Sequence, residues 1–154
     1  MDMPRPGPAQ ALLARFAGRW SGPETMSPSP FSPGGEAVGT TDYKMGLGGL
    51  ALIQEYRQTR EGGPTFEGHG VMLVEPGSDD VLWWWFDSMG FPAEITRGRW
   101  DADTLIFERS GPQGDARYTY TWLGDNRYTF VIDMRPAGSD AYAPFMRGDY
   151  ARAS

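Results

Sequence analysis

The chain has no cysteine and a single histidine in 154 residues. No disulfide framework can form, and no thiolate chemistry is available. A zinc site has too few of its usual ligands. Basic residues are the minority, 14 against 20 acidic, for a net charge of −6. A nucleic-acid groove needs a basic patch, so no nucleic-acid partner is expected. Long apolar runs are missing too: nothing approaches the length of a membrane-spanning helix, and no membrane partner is expected. Met1 to Pro8 carries proline and glycine where a signal peptide needs an apolar core, and it reads as a disordered leader. Without tails or linkers, the chain reads as a cytoplasmic bacterial protein. No motif calls for a cofactor, and no stretch names a reaction.

Aromatic residues (14%) and glycines (21) are abundant. Together they point to many short strands joined by tight turns. The length suits one domain with a real core, residues 9–154. Its centre is the run Leu82-Trp83-Trp84-Trp85-Phe86-Asp87. A strand sends Trp83 and Trp85 to one face and Trp84 and Phe86 to the other.

Ala9 to Ala17 predicts a short helix, with Leu12, Leu13 and Phe16 on one stripe and Gly18 ending it. A strand starts at Gly18–Gly22. Pro23 to Gly35 is rich in proline and serine and predicts a loop, a candidate flap over an opening. From Glu36 on, turn signals recur about every eight to twelve residues, the spacing of an antiparallel sandwich or barrel. The count is about ten strands after one short helix.

Hairpin pairing sorts the faces. A turn at Gly124–Asn126 sets Trp122 opposite Tyr128, Tyr120 opposite Phe130 and Tyr118 opposite Ile132. A loop centred near Gln113 sets Ile106 opposite Tyr120 and Glu108 opposite Tyr118. One face then carries Ile106, Tyr118, Tyr120, Trp122, Tyr128, Phe130, Ile132 and Met134. The other carries Arg109, Arg117, Thr119, Thr121, Thr129, Asp133 and Arg135. The aromatic face is inside and the arginine face is wet. Glu108 is the exception: either a rim carboxylate or a polar anchor in a ligand cavity.

His69 lies between Gly68 and Gly70. Centring its hairpin near Ser78 puts it opposite or diagonal to Asp87, where a carboxylate could orient the ring. The pair is either structural or ligand-contacting; a catalytic dyad would need a nucleophile, and Ser88 and Ser110 have no elbow motif around them. Gly68 and Gly70 would leave room for Trp84 and Phe86 across the hairpin.

Leu13, Phe16, Gly18, Trp20 and Gly22 resemble the helix–Gly-x-Trp entry of lipocalin-like, or calycin, barrels. Glu55–Gln58, Gly68–Gly70, Phe86–Phe91, Gly98–Leu105 and Ala116–Tyr120 resemble an uncharacterised bacterial branch of that group, known only as a domain of unknown function. The resemblance implies an up-and-down barrel with an internal cavity and no established reaction. It also implies that Trp20 plugs the closed end under a late arginine, Arg147 or Arg152. Some calycin relatives carry fatty acids or haem.

The leading expectation is non-catalytic binding of a small amphipathic or aromatic ligand by His69, Trp84, Asp87, Glu108, Tyr118, Tyr120 and Phe130. The alternatives are an enzyme with Glu108 or His69 and Asp87 as acid–base groups, and a haem barrel in which His69 is the only axial histidine. A third is a protein that self-associates. The alternating tryptophan run would leave two aromatics outside a single wall, so a homodimer covering them is expected, with the Pro23–Gly35 loop folding over them as the alternative.

Overall fold

Among the described residues ten strands follow one α-helix, and the last strand returns to the first. The structure is a computed structural model that describes residues 1–29 and 33–153. Helix α1 (Pro8–Ala14) precedes β1 (Gly18–Met26), β2 (Gly35–Gly46), β3 (Ala51–Thr59), β4 (Phe66–Val74) and β5 (Val81–Asp87). Then come β6 (Glu94–Asp101), β7 (Thr104–Gly111), β8 (Gly114–Trp122), β9 (Arg127–Pro136) and β10 (Ala143–Arg152). Each strand is antiparallel to the one before, and β10 pairs with β1. This is the expected all-β up-and-down barrel, and closure leaves its sheet without an edge.

Alternation decides which side chains fill the barrel. On β8 and β9 the register is the expected one: Tyr118 pairs with Ile132, Tyr120 with Phe130 and Trp122 with Tyr128. Two other hairpins differ by one residue. β7 and β8 meet through Gly111 and Gly114, so Phe107 pairs with Tyr118 and Glu108 with Arg117. Leu105 and Phe107 are therefore in the core, and Ile106 and Glu108 are not on its side of the sheet. Arg109, expected to be wet, turns inward at the rim of the barrel's cavity. In the same way His69 faces Phe86, and Asp87 faces Gly68. Both loops hold an even number of residues where the expectation centred each on a single residue. A one-residue slip turns a strand inside out relative to its neighbour.

The tryptophan strand follows that correction. Trp83 and Trp85 point inward, and Trp84 sits on the outer face with Phe86. A Cβ on Gly68 would lie 2.1 Å from the Trp85 ring. The glycines thus admit Trp83 and Trp85, not Trp84 and Phe86. Outside, Trp84 is half-buried, while Phe86 and Ile95 are exposed.

One end is closed by the N-terminal segment. Pro8 opens α1, and the Gly7 N–H donates to Gln10 Oε1 at 2.8 Å. The helix is shorter than expected because its last turn tightens: Phe16 N–H donates to Leu13 O, and Ala17 N–H to Ala14 O. Leu13 and Phe16 are buried, and the Phe16 ring lies 4.7 Å from Trp122. Trp20 is fully buried, and its indole N–H donates to Phe16 O at 2.7 Å. The Arg152 guanidinium lies over that indole at 4.3 Å and donates to Ala17 O and Arg15 O at 2.7 and 3.1 Å. One side chain thus covers the tryptophan and satisfies the carbonyls where the helix unwinds. Arg147 has a different partner, Asp149.

The expected loop from Pro23 is a strand as far as Met26. β1 and β10 pair on either side of Gly22–Pro23, where proline has no N–H to give. The flap expected over 23–35 falls in part on residues 30–32, outside the described residues.

Candidate functional site

Above the plug lies a cavity of about 380 Å³. Its floor is three tyrosines, Tyr43, Tyr120 and Tyr128, with Phe16 beneath them at 5.3, 5.5 and 5.4 Å. One wall is aromatic: Trp83, Trp85, Tyr118 and Phe130. Trp83 meets Trp85 edge-on at 5.6 Å and Tyr118 edge-on at 5.5 Å. Arg60, Asp87, Arg109 and Phe145 stand at the opposite end from the helix, where β3, β5 and β7 finish and β10 begins.

The other wall is polar: Tyr56 and Gln58 of β3 and Tyr150 of β10 line it, and Glu24 of β1 is buried behind them. Glu24 is only 1% exposed, a buried carboxylate that would be costly alone. It is not alone. The Tyr56 hydroxyl donates to its two oxygens at 2.7 Å, Gln58 Nε2 donates at 2.9 Å, and the Tyr150 hydroxyl donates as well. Gly39 makes the space: a Cβ there would stand 2.1 Å from a Glu24 oxygen. Among the described residues no cation pairs with Glu24, so hydroxyl and amide donors carry the whole load. On the floor, Gln54 Nε2 donates to the Tyr43 oxygen at 3.2 Å, and the Tyr43 and Tyr128 hydroxyls are 3.4 Å apart.

Burial sets the chemistry of these hydroxyls. It pushes Tyr43, Tyr120, Tyr128 and Tyr150 well above the ordinary tyrosine value. Tyr56 rises too, first from burial and then from the Glu24 charge. The cavity therefore offers neutral hydroxyls that hydrogen-bond and do not ionise.

Of the residues expected in a site, Asp87, Tyr118, Tyr120 and Phe130 line this cavity. Asp87 accepts from the Trp85 indole and from the Met89 N–H, both at 2.9 Å. Three residues are elsewhere. Trp84 is on the outer face. Glu108 is on the outer face as well, 3.5 Å from Arg117, its side chain 63% exposed. The His69 ring is exposed and meets Glu55, not Asp87. It borders a wide outer groove of about 770 Å³ that Asp87 also reaches, and there Arg19 pairs with Asp42 and Arg57 with Glu67. A haem bound through histidine would have to lie in that groove, outside the barrel. No three carboxylate or histidine side chains among the described residues are placed to hold a metal ion.

Sequence reasoning missed the polar wall: Glu24, Gln54, Tyr56, Gln58 and Tyr150. On β3 the signal was present. Glu55 and Arg57 alternate with Gln54, Tyr56 and Gln58, and the charges mark the outside. Glu24 gave no comparable signal, because it follows a proline in a stretch that reads as loop.

A family model described as "Protein of unknown function (DUF1579)" matches residues 5–152. No curated protein matches the sequence. Among solved structures, Rv2717c from M. tuberculosis is similar with a TM-score of 0.73 at 17% identity, over 96% of this chain and 99% of that one. The S-type phycobiliprotein lyase CPES from Guillardia theta is similar with a TM-score of 0.68 at 7% identity, over 94% and 92%. At these identities the likeness is one of fold, a lipocalin-like barrel.

Proposed function

The chain belongs to the DUF1579 family of unknown function, and we propose that it binds one small amphipathic ligand in the barrel cavity without transforming it. The observation that carries this reading is the cavity itself. It measures about 380 Å³, within the range of small-molecule sites, with an aromatic wall facing a few fixed polar groups. Rings of Trp85, Tyr118 and Phe130 suit a flat apolar body, and Asp87 and Tyr120 offer polar contacts. A phycobiliprotein lyase has a fold of this kind.

The enzyme reading loses its acid–base pair. His69 and Asp87 lie on opposite sides of the barrel wall, and Glu108 faces away from the cavity.

The test is to incubate the folded protein with a mixed metabolite extract, remove unbound material and identify what stays by native mass spectrometry. The wild type retains a small amphipathic molecule. An Ile132→Trp variant, whose indole narrows the cavity, retains less of it while its circular dichroism is unchanged. Equal retention by both proteins sinks the proposal.

A further inference from the structure

Glu24 brings a negative charge to the polar side of the cavity, and among the described residues no cation cancels it. Its partners are the Tyr56 and Tyr150 hydroxyls and the Gln58 amide, all of them neutral donors. Hydrogen bonds spread a buried charge but leave it in place.

Those same donors decide what the cavity meets. Tyr56, Gln58 and Tyr150 line it, and Glu24 stands behind them. Tyr56 and Tyr150 each turn their single proton toward the carboxylate, so their oxygens keep only lone pairs for anything else. Gln58 Nε2 is committed as well, to Glu24 Oε1 at 2.9 Å and to the Tyr56 oxygen at 3.3 Å. Turning that amide over would press its oxygen against the carboxylate, so Gln58 Oε1 stays an acceptor. These three residues thus present acceptors in front of a buried negative charge. Trp85, Tyr118 and Phe130 add the negative faces of their rings on the aromatic wall.

The protein's own cations stay at the opening. Arg60 and Arg109 line the cavity there beside Asp87, and Arg109 already holds Glu94 at 2.9 Å. Water screens those charges, while the dry surroundings of Glu24 screen it far less.

We infer that the cavity selects an organic cation, an apolar body carrying an ammonium group that settles between the aromatic wall and the acceptors of Tyr56, Gln58 and Tyr150. This rests on the proposed ligand-binding role and names the charge that role takes. The ammonium need not touch Glu24. It donates to the lining oxygens, faces the rings, and is drawn by the carboxylate behind them through a medium of low polarity. A carboxylate head of the same size meets acceptors, ring faces and a like charge. A neutral head forgoes the attraction.

Three matched probes test it: 2-naphthylmethylamine, 2-naphthylmethanol and 2-naphthoate, with binding read by calorimetry at neutral pH. The first is a cation, the second neutral and the third an anion. The amine should bind about tenfold tighter than the alcohol, and the anion weakest. Glu24→Gln keeps the size of the side chain and removes its charge, and it should bring the amine and the alcohol within about twofold of each other. In the wild type, raising the salt to about 0.5 M should reduce the amine's advantage by less than about threefold, because the charge behind it is buried. This readout stands even if Glu24→Gln does not fold. Equal affinities, a preference for the anion, an amine advantage that survives Glu24→Gln, or one that vanishes in salt would overturn the inference and leave the binding role intact. If none of the three binds, the inference falls, and the retention experiment decides the binding role.

Discussion

The two ends of this barrel are made from the same strands and finish differently. At the helix end, inward side chains meet rings delivered by the N-terminal segment. Phe16 lies among Trp122, Tyr43, Tyr120 and Tyr128, and Trp20 is sealed under Arg152. At the far end the same inward positions carry Arg60, Asp87 and Arg109, which stay near water. A closed barrel of this size holds about one small molecule if nothing fills it. The N-terminal segment plugs one end with Leu13, Phe16 and Trp20, so the cavity opens toward the other. The plug closes one end, the proposed ligand space opens at the other, and the tyrosine floor lies between them.

That floor is the place to break both ends at once. Burial holds the tyrosine pKa values above the ordinary value of 10.0. The folded state keeps these protons when the unfolded chain would lose them. Their contribution is fully present below pH 10 and is lost as the pH rises toward the folded-state values. Each such tyrosine removes about 1.4 kcal/mol of stability per pH unit in that window. The melting temperature should therefore fall steeply above pH 10, and tyrosinate absorbance should appear together with unfolding. Smooth titration of these tyrosines in a folded protein would show that the floor is wet.

Next in size is the plug. Trp20→Ala should cost about 3–5 kcal/mol, the usual cost of truncating a buried aromatic. A melting temperature near the wild type's would mean that Trp20 does not hold the end closed. Arg152→Met keeps much of the covering stem but removes the guanidinium and its bonds to Ala17 O and Arg15 O. The expected loss is about 2 kcal/mol by chemical denaturation. At the opening, Phe145 is 36% exposed, and Phe145→Ser should cost under about 1 kcal/mol while weakening ligand retention. A loss as large as that of Trp20→Ala would erase the distinction between the ends.

The sequence made one end more legible than the other for a physical reason. The plug is local: Leu13, Phe16 and Trp20 fall within one short segment, and helix periodicity plus the glycine stop suffices to place it. Strand number and the β8–β9 faces were also legible, because tyrosines alternate with threonines and charges there. The opening depends on pairings across hairpins, and those depend on whether each loop holds an odd or even number of residues. Composition does not tell 112–113 from a three-residue turn, nor does it measure the loop 75–80. Each slip reversed a strand, which put Glu108 and Trp84 in the expected site and left Trp83 and Trp85 out of it. Glu24 was hidden differently: its burial depends on donors from β3 and β10, far away in sequence.

The smallest expected effect checks the register that separates inside from outside. Glu108 and Arg117 are paired across β7 and β8 on the outer face, 3.5 Å apart, with side chains 63% and 37% exposed. An exposed pair of this kind contributes little, because water screens it and two long side chains must be held in place. Glu108→Gln should therefore change stability by less than about 0.5 kcal/mol and leave probe binding in the cavity unchanged. Had Glu108 faced Tyr118 inside the barrel, its replacement would change the polarity of the binding wall and alter affinity for a polar head group. Parallel denaturation and ligand-retention measurements on Glu108→Gln and the cavity-narrowing Ile132→Trp separate these geometries. A binding defect in the first and none in the second would return β7 to the opposite register.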